Sequence, residues 1–227
     1  IYSMAYKIPG IFNMLVSIFI QAFGITAIKE SDDSEYVDGK INGAFFQELY
    51  YRYMEATFVA VIIVILLSRP LAFIFLKNDF YVAWKYIPIL LIAFAIGNLQ
   101  AYYGSILSGI KKTRIISKST IAGMIFNIIL NLIMIPVIGA YGAATATAIS
   151  YFVIYLVRLK GIRDNVLMDN FERRTMISLI LTCAVSALYI SGEMPAVIVA
   201  VVLSLIIMLI HRDFFTFGFH KLKKILN

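Results

Sequence analysis

Residues 127–151 read Asn127-Ile-Ile-Leu-Asn-Leu-Ile-Met-Ile-Pro136-Val-Ile-Gly139-Ala-Tyr-Gly142-Ala-Ala-Thr-Ala-Thr-Ala-Ile-Ser-Tyr151. This is an apolar helix, a short turn and a second helix paved with small side chains. Pro136, which lacks an N–H and crowds the preceding turn, is expected to end the first helix, and Gly139 and Gly142 to open the next. In that second helix Ala140, Ala144 and Ala148 recur every fourth residue, as do Gly142 and Ala146, and Ala143 and Thr147. Two of its faces therefore lack bulk, so a neighbouring helix can approach to backbone distance, which is how helices associate in lipid.

The composition extends this reading to the whole chain. Of the 227 residues 61% are hydrophobic and 15% charged, with a mean hydropathy of +0.88, whereas a soluble globule carries about 25% charged residues. The chain is expected to be an all-α polytopic transmembrane bundle. A span needs about 20 apolar residues to cross roughly 30 Å of hydrocarbon, and seven segments qualify: 4–28, 48–68, 86–109, 115–135, 140–157, 175–191 and 195–211. A spanning barrel is excluded because alternating lipid-facing and lumen-facing residues are absent.

The cations orient the bundle. The connections at 29–52, 111–118, 158–174 and 212–224 hold sixteen of the twenty Lys and Arg, and the opposite side holds only Lys7, Arg69, Lys77 and Lys85. That bias places the sixteen in the cytoplasm, with the start of the chain outside and its C-terminus inside. A pI of 9.4 would also suit nucleic acid, but cations divided among membrane-flanking loops do not, and no nucleic-acid partner is expected. An odd number of spans that begins outside, with no initiator Met or signal peptide, leads us to expect an N-terminal half of the same protein ahead of this sequence.

Several segments resemble, in order and spacing, the C-terminal half of the bacterial exporters of polysaccharide units: Tyr2-Ser-Met-Ala-Tyr-Lys-Ile-Pro-Gly10, Gln21-Ala-Phe-Gly-Ile-Thr-Ala-Ile-Lys-Glu30, Ala83-Trp-Lys-Tyr-Ile-Pro-Ile-Leu90, Gly109-Ile-Lys-Lys-Thr113 and Gly139-Ala-Tyr-Gly-Ala-Ala-Thr-Ala-Thr147. These are the flippases of lipid-linked oligosaccharides, such as O-antigen units, in the superfamily that includes multidrug exporters and the lipid II flippase. The resemblance covers nearly the whole chain. It implies a fourteen-helix transporter of which this sequence is helices eight to fourteen. It divides the chain into a five-helix part of the transport bundle (1–157), a cytoplasmic basic loop (158–174), two appended helices (175–211) and an amphipathic tail (212–227). It also implies a polyprenyl-pyrophosphate-linked oligosaccharide as substrate, membrane lipid and polysaccharide polymerase machinery as partners, the bacterial cytoplasmic membrane as location, and no cofactor. An exporter of drugs or cations from the same superfamily is the alternative. A membrane enzyme of glycan assembly is the weaker one, because the outward connections are too short or too apolar to carry a catalytic loop.

Such a transporter needs polar groups inside the membrane. Lys7, Asn13 and Gln21 on the first helix are candidates for binding substrate, as a cation for phosphate and amides for sugar hydroxyls. Against this, a lysine near a helix end can snorkel to headgroups, and buried amides often serve only to join helices. Glu48, Arg52 and Glu55, spaced by four and three, share a helical face where Arg52 can pair with both acids. They read as a gating or ion-coupling group, or as an interfacial ion-pair cluster. Asn98, Gln100, Asn127 and Asn131 are expected to bond between helices. Phe80, Tyr81, Trp84 and Tyr86 suggest an outer aromatic belt, and Phe214 to Lys224 an inner-surface anchor. No catalytic or metal-binding constellation is visible: Cys183 is single, and His211 and His220 lack ligand spacing.

Overall fold

The computed structural model describes residues 2–76, 78–168 and 171–210. The expected tail anchor and Lys77 lie outside them. In chain order come α1 (Tyr2–Ala5), α2 (Lys7–Asp33), β1 (Tyr36–Val37), β2 (Lys40–Asn42), α3 (Ala44–Leu66), α4 (Ser68–Phe75), a 3-10 helix (Asn78–Lys85), α5 (Ile87–Gly109), α6 (Thr113–Ile138), α7 (Ala140–Asn165), β3 (Val166–Leu167), α8 (Phe171–Ser191) and α9 (Met194–Ile210). Among the described residues six helices are long and apolar enough to cross a membrane, and α9 is a shorter apolar helix. The chain is a multi-pass helical membrane protein.

The helices outrun the apolar windows that announce them. Pro136 does not stop α6, which continues to Ile138 and ends at Gly139, where φ is +57° and ψ −131°. A proline in the last turn costs the helix one N–H donor, whereas Gly139 takes a backbone conformation that ends it outright. Likewise α7 continues through Arg158 to Asn165, so the first part of the expected basic loop is helix.

Helix α5 is the axis of the bundle, packed against α2, α3, α7 and α8, and most of it is buried. Pro88 stands in its first turn, where a missing N–H costs nothing. Helix α6 packs mainly on α7 and leaves Ile121, Met124, Ile128, Leu132 and Ile133 exposed, which in a membrane is contact with lipid or another helix. The small side chains of the opening stretch do what their spacing suggests: Gly142, Ala144 and Ala146 are buried where α7 meets α5 and α6. Several buried hydroxyls bond within their own helices, as in Ser150 to Ala146 O at 2.6 Å and Thr182 to Ser178 O at 2.7 Å, the local solution open to a hydroxyl away from water.

Two apolar cores form. Toward the end of α5 near Gly109, Tyr102 stacks on Phe23 at 4.3 Å and Tyr103 lies over Tyr50 at 5.2 Å and Tyr155 at 5.3 Å. Their hydroxyls find partners: Tyr102 donates to the Phe46 carbonyl at 2.8 Å and Tyr50 meets Thr175 Oγ1 at 2.9 Å. At the opposite end Trp84, expected in an aromatic belt, is instead buried to 7% exposure. The Arg69 guanidinium lies 4.4 Å from its ring and 5.0 Å from that of Tyr189, and these cation–π contacts help to hold the tryptophan inward. Tyr86 packs on Tyr141 at 4.4 Å.

A feature the helical reading did not foresee closes the basic end. Strands β1 and β2 pair antiparallel around Asp38-Gly39, with φ of +51° and +77°, and β3 adds parallel to β2, pairing Ile41 with Val166. The Lys40 ammonium donates to the Arg163 carbonyl at 2.8 Å, and Arg163 pairs with Glu172. The α2–α3 connection is thereby tied to the one between α7 and α8.

Candidate functional site: a polar groove among α2, α5, α6 and α7

Each of these four helices carries a stripe of small or polar residues, and the stripes face one another. On α2 the stripe is Asn13, Ser17; on α5, Gly97, Asn98, Gln100, Ala101; on α6, Thr120, Gly123, Asn127; on α7, Thr147, Ser150, Tyr151. Steps of three and four hold such residues on one side of a helix. The stripes enclose two open cavities. One, of about 400 Å³, is lined by Tyr6, Phe94, Thr120, Gly123, Asn127, Thr147, Ser150 and Tyr151 among others. The second, of about 220 Å³, is lined by Asn13, Ser17, Ile20, Gly97, Asn98, Gln100 and Ala101, and shares Phe94 and Tyr151 with the first. Asn98 Nδ2 and Gln100 Oε1, both removed from solvent, have no hydrogen-bond partner among the described residues, so the walls of the smaller cavity retain unused donor and acceptor capacity.

Arg158 stands at one end of this groove. It is 8% exposed and continues the stripe Gly142, Ala146, Ser150, Ile154 by one more step of four. Its Nε donates to Ser119 Oγ at 3.0 Å, its Nη1 to the Gln100 carbonyl at 2.9 Å and its Nη2 to Thr120 Oγ1 at 3.2 Å. All three acceptors are neutral. The guanidinium lies against Gly104, where any Cβ would overlap it. Ionised side chains at mid-bilayer cost about 2.5 to 3.5 kcal/mol on insertion scales, so one that stays needs partners or a task.

Of the residues expected at a site, Asn13 lines the smaller cavity. Lys7 is exposed at the start of α2, next to Tyr6 of the larger cavity, and Gln21 is exposed one turn beyond Ser17. The rise of α2 separates Lys7 from Gln21 by about 21 Å, so the three do not share one pocket. Arg52 bonds Glu48 at 2.8 Å on the exposed side of α3, while Glu55 is buried at 4% exposure. Arg52 also edges an apolar cavity of about 410 Å³ between α2 and α3. The amides of Asn127 and Asn131 bond to each other along α6, Asn131 Nδ2 to Asn127 Oδ1 at 2.9 Å, rather than between helices. An α7 that ends at 157 leaves Arg158 among the loop cations; the two steps of four from Ser150 through Ile154 are the signal in the sequence that it belongs to the helix.

No protein-family model matches the sequence, and no curated protein does. Among solved structures, the lipid II flippase MurJ in its inward closed conformation superposes with a TM-score of 0.63 at 17% sequence identity, over 93% of this chain and 47% of that one. The chain has the fold of about half of MurJ. The likeness is one of fold, and the chain spans about half the length of MurJ.

Proposed function

We propose that this chain forms one wall of a transporter that flips polyprenyl-pyrophosphate-linked oligosaccharide units across the bacterial cytoplasmic membrane for cell-surface polysaccharide biosynthesis. The observation that carries the reading is the polar groove: four membrane helices turn amides and hydroxyls toward shared cavities, with the Arg158 guanidinium bonded behind them at one end, while large apolar side chains of α2 and α6 face outward. Amides and hydroxyls suit sugars, and the apolar flanks leave a prenyl tail in lipid. Alternating access then requires a second wall, supplied by an N-terminal half, that closes the groove on one side and opens it on the other. Basic connections in the cytoplasm put the C-terminus there, and Lys7, Asn13 and Gln21 mark successive positions along the path. Glu48, Arg52 and Glu55, at the basic end of α3, are assigned to gating or ion coupling.

The test is reconstitution of the complete transporter in vesicles. The reading expects inward or outward movement of a lipid-linked oligosaccharide, lost when Asn13 and Asn98 are replaced together by Leu. Movement of a small drug cation without movement of the lipid-linked glycan would refute it.

A further inference from the structure

Arg158 has a coordination that a purely structural cation does not need. Its guanidinium offers five N–H donors, and three are spent on a serine hydroxyl, a threonine hydroxyl and a backbone carbonyl. None of the salt bridges among the described residues includes it. A cation this buried in a helix bundle gains most from an anion, because in low dielectric a charge paired only with neutral dipoles retains much of its desolvation cost.

Its surroundings show where that anion would come from. Thr120, the acceptor for Nη2, is exposed and lines the larger cavity, and Gln100, whose carbonyl accepts from Nη1, lines the smaller one. The two terminal nitrogens are thus each one hydrogen bond from open space. Gly104 lies about 7 Å inside the end of α5 at Gly109, and beyond that end Lys111, Lys112 and Arg114 are exposed. The guanidinium thus stands near the cationic end of the bundle, and its paired Nη groups match two phosphate oxygens.

We propose that Arg158, with the Ser119 and Thr120 hydroxyls, is a phosphate-binding site at the basic end of the groove. This rests on the transport reading above in so far as the phosphate belongs to a polyprenyl carrier. A phosphate entering the larger cavity takes the place of Thr120 at Nη2, and the freed hydroxyl turns to donate to it. The bare glycine at 104 gives the guanidinium room to lie flat between α5, α6 and α7.

The test is native mass spectrometry of the complete transporter in detergent, titrated in parallel with a polyprenyl phosphate, inorganic pyrophosphate and phosphatidylglycerol. Arg158→Gln is expected to weaken polyprenyl phosphate and pyrophosphate about tenfold to a hundredfold, the range of one or two charge-assisted hydrogen bonds, and Arg158→Lys to restore part of the loss. If Arg158→Gln does not fold, Gly104→Ala keeps the charge but displaces the guanidinium, and the same loss is expected. Unchanged binding of all three probes in a folded variant overturns the site. A loss confined to phosphatidylglycerol upholds the phosphate site but assigns it to bulk lipid, which counts against the flippase reading.

Discussion

The same substitution at two glycines should have opposite signs. Gly109 closes α5 against α2, and a Cβ there would stand 2.7 Å from the Ala27 carbonyl oxygen, 2.7 Å from Ser31 Oγ and 3.0 Å from the Ala27 carbonyl carbon. Two of these atoms are backbone, so α2 itself must retreat. Overpacking of this kind costs about 1 to 3 kcal/mol. The gain in helix propensity from glycine to alanine is at most about 1 kcal/mol and is smaller at a helix end. Gly109→Ala should therefore destabilise by about 1 to 2 kcal/mol. Gly24 lies inside α2, and a methyl group added there would have nothing within 4 Å, so Gly24→Ala meets no obstacle and should stabilise by about 0.5 to 1 kcal/mol. Reversible unfolding of the purified chain in mixed micelles by increasing mole fraction of dodecyl sulfate reads both. Equal effects, or a Gly109→Ala variant as stable as the parent, would refute the close α2–α5 contact on which the smaller cavity depends.

Tyr102→Phe keeps the stack on Phe23 but removes the donor to the Phe46 carbonyl. That carbonyl keeps its own helical partner, so the loss should be about 1 kcal/mol in the same unfolding measurement; no change would remove this bond from the link between α3 and α5. Gly39→Val forces a branched residue into a φ of +77°, at a cost of about 1 to 2 kcal/mol. The amides of Asn42 and Gly43, which bond the Glu35 and Leu167 carbonyls, should then exchange faster with deuterium, whereas unchanged exchange would mean that the turn does not hold the small sheet.

Length and apolarity make the spanning helices legible, because each window of hydrocarbon thickness leaves its own trace in the sequence. They cannot rank α5 against α6, since both are strongly apolar; α5 is mostly buried and α6 mostly exposed, yet both turn amides to the groove, Asn98 and Gln100 from α5 and Asn127, which also accepts from Asn131, from α6. Helix ends are the least legible part. Counting apolar residues stops at the first charge, which puts Arg158 in a loop although its spacing from Ser150 continues the α7 stripe. The strands at Tyr36–Val37 and Lys40–Asn42 are signalled by Asp38-Gly39, a pair that favours a tight hairpin, but in so apolar a chain a short polar connection speaks first through its charge. Asn13 is conspicuous because an amide in an apolar helix stands out. Thr120, Thr147 and Ser150 escape notice because hydroxyls are common in such helices and usually bond to the preceding turn.

The groove among α2, α5, α6 and α7 is, on this account, a wet path within the membrane. Thiol accessibility in lipid nanodiscs tests it most directly, after the single cysteine, Cys183, which is exposed, has been replaced by Ala. Cysteines placed at Asn13 and Thr147 should react with a water-soluble maleimide and be protected by a polyprenyl-pyrophosphate-linked sugar, while cysteines at the outward-facing Ile125 and Ile133 of α6 should not react. Equal labelling at all four positions, or labelling at the outward pair alone, would contradict the account.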